Sequence, residues 1–285
     1  MMLNTDLIQK FRKEVNGNSY FALHNYRNRG GYNHWNLICS CMDWIEVAMD
    51  YISHQSPDNK ETVGILKTEN INTKCMLAYT YISAIDIVWA SVQQLHRVII
   101  SDGKTPFKGK TGIFNDYLIC KDDNEYFTHI RAVFGAHPVN LKKEGKWFAS
   151  WPTDHVYPEF DYAVTLYNSE AKGSNTIFGF RFKELNQFLE MRYKYLNEIM
   201  KSLDNQYGEY KEVMSKRLII QVDDVENQLE ILKEAAYERL NSEYYSEVIE
   251  ELQIIFRSPC SELRNKEVVN KYLDECRKKI GRAHV

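Results

Sequence analysis

The segment CMLAYTYISAIDIVWASVQQLHRVII, residues 75–100, restricts the fold more than any other stretch. It reads as the longest apolar helix of the chain, with Leu77, Tyr81, Ile85, Val88 and Val92 as core candidates. A helix this apolar must be covered by other elements, which requires a packed bundle. One residue breaks its character. Asp86 is a carboxylate in an apolar stretch, and such a group needs a partner. Asp86, Trp89, Gln93 and His96 recur at helical spacing as one semi-polar stripe.

The flanking segments supply helices for the bundle. Residues up to about Phe21 form a short helix candidate, and HNYRNRGGYNH (24–34) reads as a loop around Gly30 and Gly31. Trp35 to Ile52 predicts a helix with the stripe Leu37, Cys41, Trp44, Ala48 and Tyr51. SDGKTPFKGKTG (101–112) reads as a glycine-punctuated loop. The chain is irregular from Asn140 to Pro158. YAVTLYN (162–168) and TIFGFRF (176–182) then alternate like the two strands of a hairpin. From Lys183 the pattern is helical again almost to the end, beginning with a helix of about two dozen residues. The expected fold class is mainly α, a helical bundle with a β-hairpin insertion and a helical C-terminal extension.

The chain of 285 residues is long enough for a substantial core, and its apolar (44%) and charged (26%) fractions suit a globular protein. A net charge of −3 gives no global attraction for nucleic acid or anionic membrane, so either partner would need a local basic patch. No run approaches the roughly 18 apolar residues of a membrane span. The first residues lack an apolar signal core, so a cytoplasmic location is expected. The six Cys show no C-x-x-C spacing and are read as reduced thiols without zinc. No H-E-x-x-H, EF-hand, Walker or G-x-G-x-x-G pattern occurs, so neither metal nor cofactor is expected.

The densest chemistry lies in DDNEYFTHIRAVFGAHPVN, residues 122–140. DDNE has the form of a capping box. Asp122 would accept from the backbone near Glu125, Glu125 would reach back, and a helix would start near Asp123. Arg131 sits past the middle of that helix. Pro138 forces His137 out of helical geometry. In an unbroken helix the two residues would point about 120° apart; the proline lets the imidazole swing back toward the guanidinium, or toward a second copy. The plainer alternative is a helix C-terminus whose His meets the last carbonyls.

Arg131-Ala-Val-Phe-Gly-Ala-His137 resembles the R-x(4–6)-H signature of the HEPN-domain family, helical bundles found in RNA-cleaving toxins, abortive-infection systems and CRISPR effectors. The likeness covers roughly residues 35–200. It implies a HEPN-like bundle that dimerises, brings its Arg–His pairs into one cleft and cuts RNA without a metal. Arg131 would stabilise the charge on phosphorus. His137 would exchange protons with the ribose 2′-hydroxyl or the leaving oxygen, and DNA would be inert. An antitoxin or regulatory protein is a further implied partner. Many active members carry a polar residue, often Asn, directly after the Arg, where this chain has Ala132. The alternative is a non-catalytic scaffold that engages a protein or RNA partner through the same cleft.

Other residues support either reading. Asp86 either orients Arg131 or His137, or makes a structural hydrogen bond to a neighbouring helix or to Arg97. Asn140 either orients His137 or caps the next turn. Lys142, Lys143 and Lys146, with Lys108 and Lys110 before the motif, either contact RNA phosphates or sit on solvated loops. Trp147 and Trp151 either stack bases or pack on the bundle. His129 reads as a packing or surface residue.

The expected organisation is an N-terminal helix and loop (1–34), the HEPN-like bundle (35–200) with its hairpin (160–182), and the helical extension (201–279). Residues 280–285, IGRAHV, are what ATC GGA AGA GCA CAC GTC encodes, a string matching a widely used sequencing adapter. They are expected to be an assembly artefact and are set aside.

Overall fold

The computed structural model describes residues 5–17, 19–55, 68–114, 120–136, 141–142, 146–150, 157–170, 172–239, 243–258 and 260–282. The fold is mainly helical with one small antiparallel sheet. The chain divides into two compact units, Met1–Leu203 and Asp204–Val285.

In the first unit, α1 (Asp6–Gly17) and α2 (Ser19–Tyr26) precede the loop at Gly30 and Gly31, both at positive φ. α3 (His34–Gln55) packs along α4 (Ile71–Leu95), which also meets α5 (Asp123–Arg131) and α6 (Phe182–Lys194). α4 starts earlier than the apolar run alone suggests, because Asn70 accepts from the Thr73 N–H at 3.0 Å and caps it. It ends in a π-helical turn, His96–Ile100, and Ser101 follows in the left-handed region at φ 57°. With that turn, Ile71–Ile100 is long and apolar enough by composition to cross a membrane. Its face is nevertheless core: Ala78, Tyr81, Ile85, Val88, Val92 and Leu95 are all buried.

The core stripe of α3 differs from the expected one. Ile38, Met42, Ile45, Met49 and Ile52 join Cys41 and Ala48 inside, whereas Trp44 is 54% exposed. Apolar residues lie all round this helix, so its periodicity admits two rotations, and packing against α4 selects one. The helix expected from Lys183 is also interrupted. α6 ends at Lys194 and α7 (Leu196–Lys216) follows, with Tyr195 between them. The Tyr195 hydroxyl lies 3.1 Å from His96 Nδ1 and its ring meets Phe107 edge-on, so tertiary contacts hold the break.

The hairpin is present, and the sheet is larger than expected. β1 (Leu141–Lys142), β2 (Lys146–Ala149), β3 (Tyr162–Asn168) and β4 (Thr176–Phe180) form one antiparallel sheet in that order. β2 lies in the segment read as irregular. Its pairing is locked where Ser150 N donates to the Thr165 carbonyl at 2.8 Å and Thr165 N donates to Ser150 Oγ at 3.0 Å. Tyr162, Val164, Leu166, Phe178 and Phe180 form the buried face, and Phe178 packs on Tyr126 and His129 of α5.

The second unit contains α8 (Val225–Glu238), α9 (Glu243–Arg257) and α10 (Lys266–Arg282). Asp224 caps α8 by accepting from Asn227 N at 2.9 Å. α8 and α9 run antiparallel, tied by Lys233–Glu250 at 2.8 Å and by Gln253 donating to Glu230 at 2.8 Å. The boundary between the units falls within α7.

Candidate functional site

The capped start of α5 does more than begin a helix. Asp122 Oδ1 accepts from Glu125 N at 2.8 Å, while its Oδ2 accepts from Gly109 N at 2.8 Å. Glu125 reaches back one residue further than a capping box requires, taking the Lys121 N–H at 2.6 Å. Asp123, 1% exposed, accepts from Ile113 N and Phe114 N. Asn124 donates to the Pro106 carbonyl at 3.1 Å and accepts from Arg192 Nη2 at 2.9 Å. Three consecutive side chains thus fasten the 101–114 loop to α5.

At the other end, Arg131 is the last residue of α5. Its Nε lies 2.8 Å from Asp86 Oδ2 on α4, with the Arg131 side chain 50% exposed and Asp86 26%. The partner of Asp86 is therefore Arg131 and not Arg97. Burial pushes the Asp86 carboxyl above its ordinary range, and the Arg131 cation pulls it part of the way back.

Beyond Arg131 the winding changes. Ala132–Ala136 form a π-helical turn, so the α-helical angle between Arg131 and His137 no longer applies. Phe134 anchors the turn to the sheet, with ring centroids 4.9 Å from Phe180 and 5.4 Å from Tyr162. A Cβ at Gly135 would lie 2.7 Å from Tyr79 Cε2, so glycine permits the close approach to α4. The turn leads directly to His137, which, with Asn140, Lys143 and Trp151, lies outside the described residues. Lys142 and Lys146 are opposite each other in the β1–β2 register. Trp147 is half-buried in β2, and Lys108 and Lys110 are exposed on the fastened loop.

The stripe Asp86, Trp89, Gln93, His96 does not act as one group. Asp86 serves Arg131. Trp89 packs edge-on against Phe107 and Phe188. His96, 4% exposed, has Nε2 at 3.0 Å from Asp102 Oδ1 and 2.9 Å from the Lys104 carbonyl. Two acceptors at Nε2 place a proton on that nitrogen. The Lys104 N–H, with help from His96, holds the Asp102 carboxyl below its ordinary range. His129 is buried, edge-on to Phe178 at 4.7 Å, which fits a packing role.

Sequence reasoning missed Arg192. It is 1% exposed, with its guanidinium carbon 3.7 Å from the Phe188 ring centroid and 4.8 Å from that of Phe107. The available signal was a cation on the apolar side of α6, four residues after Phe188. It joins α6, α5 and the loop, and its burial gives it a structural role.

Among the described residues, no three His, Cys, Asp or Glu side chains group as a metal site. A cavity of about 440 Å³ lies between α1 and α3. Asp6, Glu46 and Asp50 line it, so its charge opposes a phosphate, and neither Arg131 nor Asp86 is among its lining residues. Comparison with protein-family models, curated proteins and solved structures finds no match for this chain.

Proposed function

We propose that the chain is a metal-independent endoribonuclease of HEPN type, with Arg131 and His137 as its working pair. The observation that carries this reading is the placement of Arg131: the end of a helix, half in solvent, with a carboxylate from the neighbouring helix on Nε. Asp86 takes one edge of the planar fork and fixes its orientation. The opposite edge carries the donors that a phosphate needs. The π turn, held by Phe134 and Gly135, then delivers the chain to His137.

In the proposed reaction the ribose 2′-oxygen attacks phosphorus as the bond to the 5′-oxygen breaks. The 2′-hydroxyl proton is removed, the leaving oxygen gains a proton, and His137 serves one of these transfers. Arg131 stabilises the negative charge that grows on the non-bridging oxygens. A dimer would bring two such pairs into one cleft. A toxin or phage-defence setting, with an antitoxin as regulator, belongs to the same proposal.

A second reading is a non-catalytic scaffold binding protein or RNA at this place. It is favoured by the charge of Asp86, which already offsets Arg131, and by Ala132, which offers no polar side chain. Incubation with mixed RNA in EDTA separates the two. The enzyme reading expects wild-type cleavage and its loss in Arg131→Ala and His137→Ala. Equal background from all three proteins rejects it.

A further inference from the structure

With a net charge of −3, the chain can hold an anionic partner only through a local group of cations. The turn between α2 and α3 provides one. Between Glu14 and Asp43 the sequence holds Arg27 and Arg29 and no acidic residue. Arg29 and Tyr32 pair across Gly30 and Gly31 in an antiparallel bridge, where Tyr32 N donates to the Arg29 carbonyl at 3.3 Å. Both glycines have positive φ, 63° and 81°, as a tight I′ turn requires. His34 N then donates to the Tyr32 carbonyl at 3.2 Å and Asn36 N to Asn33 Oδ1 at 3.1 Å, so the turn leads straight into α3. Hydrogen bonds thus fix the backbone on both sides of Tyr32. Its side chain is 73% exposed, more than any other Phe, Tyr or Trp among the described residues.

The turn is anchored on the π-helical turn His96–Ile100, where further cations gather. Arg29 Nη1 donates to the Val98 carbonyl at 3.3 Å, which uses one of the N–H donors of the guanidinium and leaves its charge in place. Arg97, next to Val98 in the chain, is exposed, as is Arg27. Lys104 is exposed too, and its carbonyl lies 2.9 Å from His96 Nε2. Asp102 also lies here, with its carboxylate engaged by His96 and by the Lys104 N–H. Four cations therefore stand against one carboxylate, around an exposed aromatic ring. Charge that follows phosphates, beside a face on which a base can stack, is what single-stranded nucleic acid needs. Residues 24–34 contain no aliphatic side chain, so the turn lacks the apolar bulk with which a segment enters a bilayer.

We infer that the 27–34 turn, together with Arg97, binds single-stranded RNA: Tyr32 stacks on one base, and Arg27 and Arg97 meet phosphates. The choice of RNA rests on the proposed ribonuclease reading; the turn supplies affinity and takes no part in the chemistry. From Asp86, which holds Arg131, to Val98, which holds the turn, the helix rises about 18 Å. Only a strand of several nucleotides reaches from one place to the other.

The test uses fluorescence anisotropy with the full chain and a labelled, 2′-O-methylated single strand, which cannot be cleaved through its 2′-oxygen. An RNA duplex and a single-stranded DNA of the same sequence, and vesicles containing phosphatidylserine, serve as further arms. Tyr32→Ala is expected to weaken single-strand binding by at least about fivefold, while Tyr32→Phe, which keeps the stacking face, binds like the wild type. Arg27→Ala/Arg97→Ala is expected to flatten the salt dependence by about 1.4 log units per log unit of salt, from about 0.7 per phosphate contact. If Tyr32→Ala melts early, Tyr32→Leu keeps apolar bulk without the ring, and the same loss is expected. Unchanged affinity in the leucine variant overturns the inference, as does a wild-type chain that binds no single strand. Binding to the vesicles without binding to RNA overturns it and assigns the turn to a membrane surface. Tighter binding to the duplex rejects the stacking, and DNA bound more than about tenfold tighter than RNA rejects the choice of RNA. Tyr32-dependent binding in a protein that cuts no RNA rejects the ribonuclease reading alone; cleavage with Tyr32-independent binding rejects the turn alone.

Discussion

Replacing Asp86 by Asn separates what the Asp86–Arg131 pair does for stability from what it does for chemistry. With half of the Arg131 side chain in solvent, an ion pair of this kind contributes about 0–1 kcal/mol. Burial works against it, raising the Asp86 carboxyl above its ordinary 3.8, and Arg131 offsets only part of that rise. A carboxyl with a raised folded pKa holds its proton more tightly when folded than when unfolded. Stability is therefore highest below 3.8, falls as pH rises through the raised pKa, and stays at the lower level at neutral pH. Asn keeps the size of the side chain and removes the charge. Asp86→Asn at pH 7 is expected to lie between neutral and about 1 kcal/mol stabilising. That corresponds to a rise in Tm of at most about 2–4 °C. Cleavage should nonetheless fall by about tenfold or more, because Arg131 loses the charge that aims it. Arg131→Met does the opposite to stability. It leaves a half-buried carboxylate without its cation, at a cost of about 1–2 kcal/mol at pH 7. That cost disappears in acid as Asp86 takes up its proton, and the double variant recovers it at neutral pH. Thermal melts of the wild type, both single variants and the double variant, from about pH 4 to 8, check each step. A drop of more than about 4 °C for Asp86→Asn at pH 7, or an Arg131→Met defect that persists in acid, refutes the reasoning.

Further substitutions test the frame around the site. A Cβ on Gly179 would lie 2.7 Å from the Tyr162 carbonyl oxygen as well as against Phe160, so Gly179→Ala should cost about 1–3 kcal/mol in urea unfolding. Adding Phe160→Ala should not rescue it, because the carbonyl is backbone. Arg192→Lys keeps the charge but loses the flat group lying over Phe188 and the bond to Asn124. A loss of about 2–4 kcal/mol is expected. By contrast, Lys194→Ala, which breaks the exposed pair with Glu190, should move the urea midpoint by less than about 0.5 kcal/mol equivalent.

Much of the helical layout could be read from the chain because it depends on local pattern. The apolar run at 75–100 becomes the central helix, and the alternation at 162–168 and 176–180 becomes a hairpin. What stayed hidden depends on contacts distant in sequence. β2 carries no clear alternation; it is held by pairing with β3, closed at one end where Ser150 and Thr165 exchange hydrogen bonds. Tyr195 interrupts a helix without Gly or Pro because His96 and Phe107 hold it from a point about a hundred residues earlier. Propensity alone makes a glycine at 135 a weak point in a helix; the close approach of Tyr79 gives the positive reason for it, and that contact is not written in the local sequence. Asp86 was recognisable as a carboxylate in need of a partner. The choice of Arg131 over Arg97 required knowing which helix lies beside α4, and periodicity does not carry that information.

The winding after Arg131 separates chain length from direction. A π-helical turn is an α-helix that has absorbed one residue more than its hydrogen-bond ladder needs. In this chain the surplus lies within Ala132–Ala136, between the guanidinium and everything that follows. Deleting one residue there lets the helix continue with ordinary bonds and leaves the downstream segment aimed as before. Keeping the length but winding the same residues as α-helix would turn that segment by about 100°. The winding, and not the residue count, is therefore the angular setting on the route from Arg131 to His137.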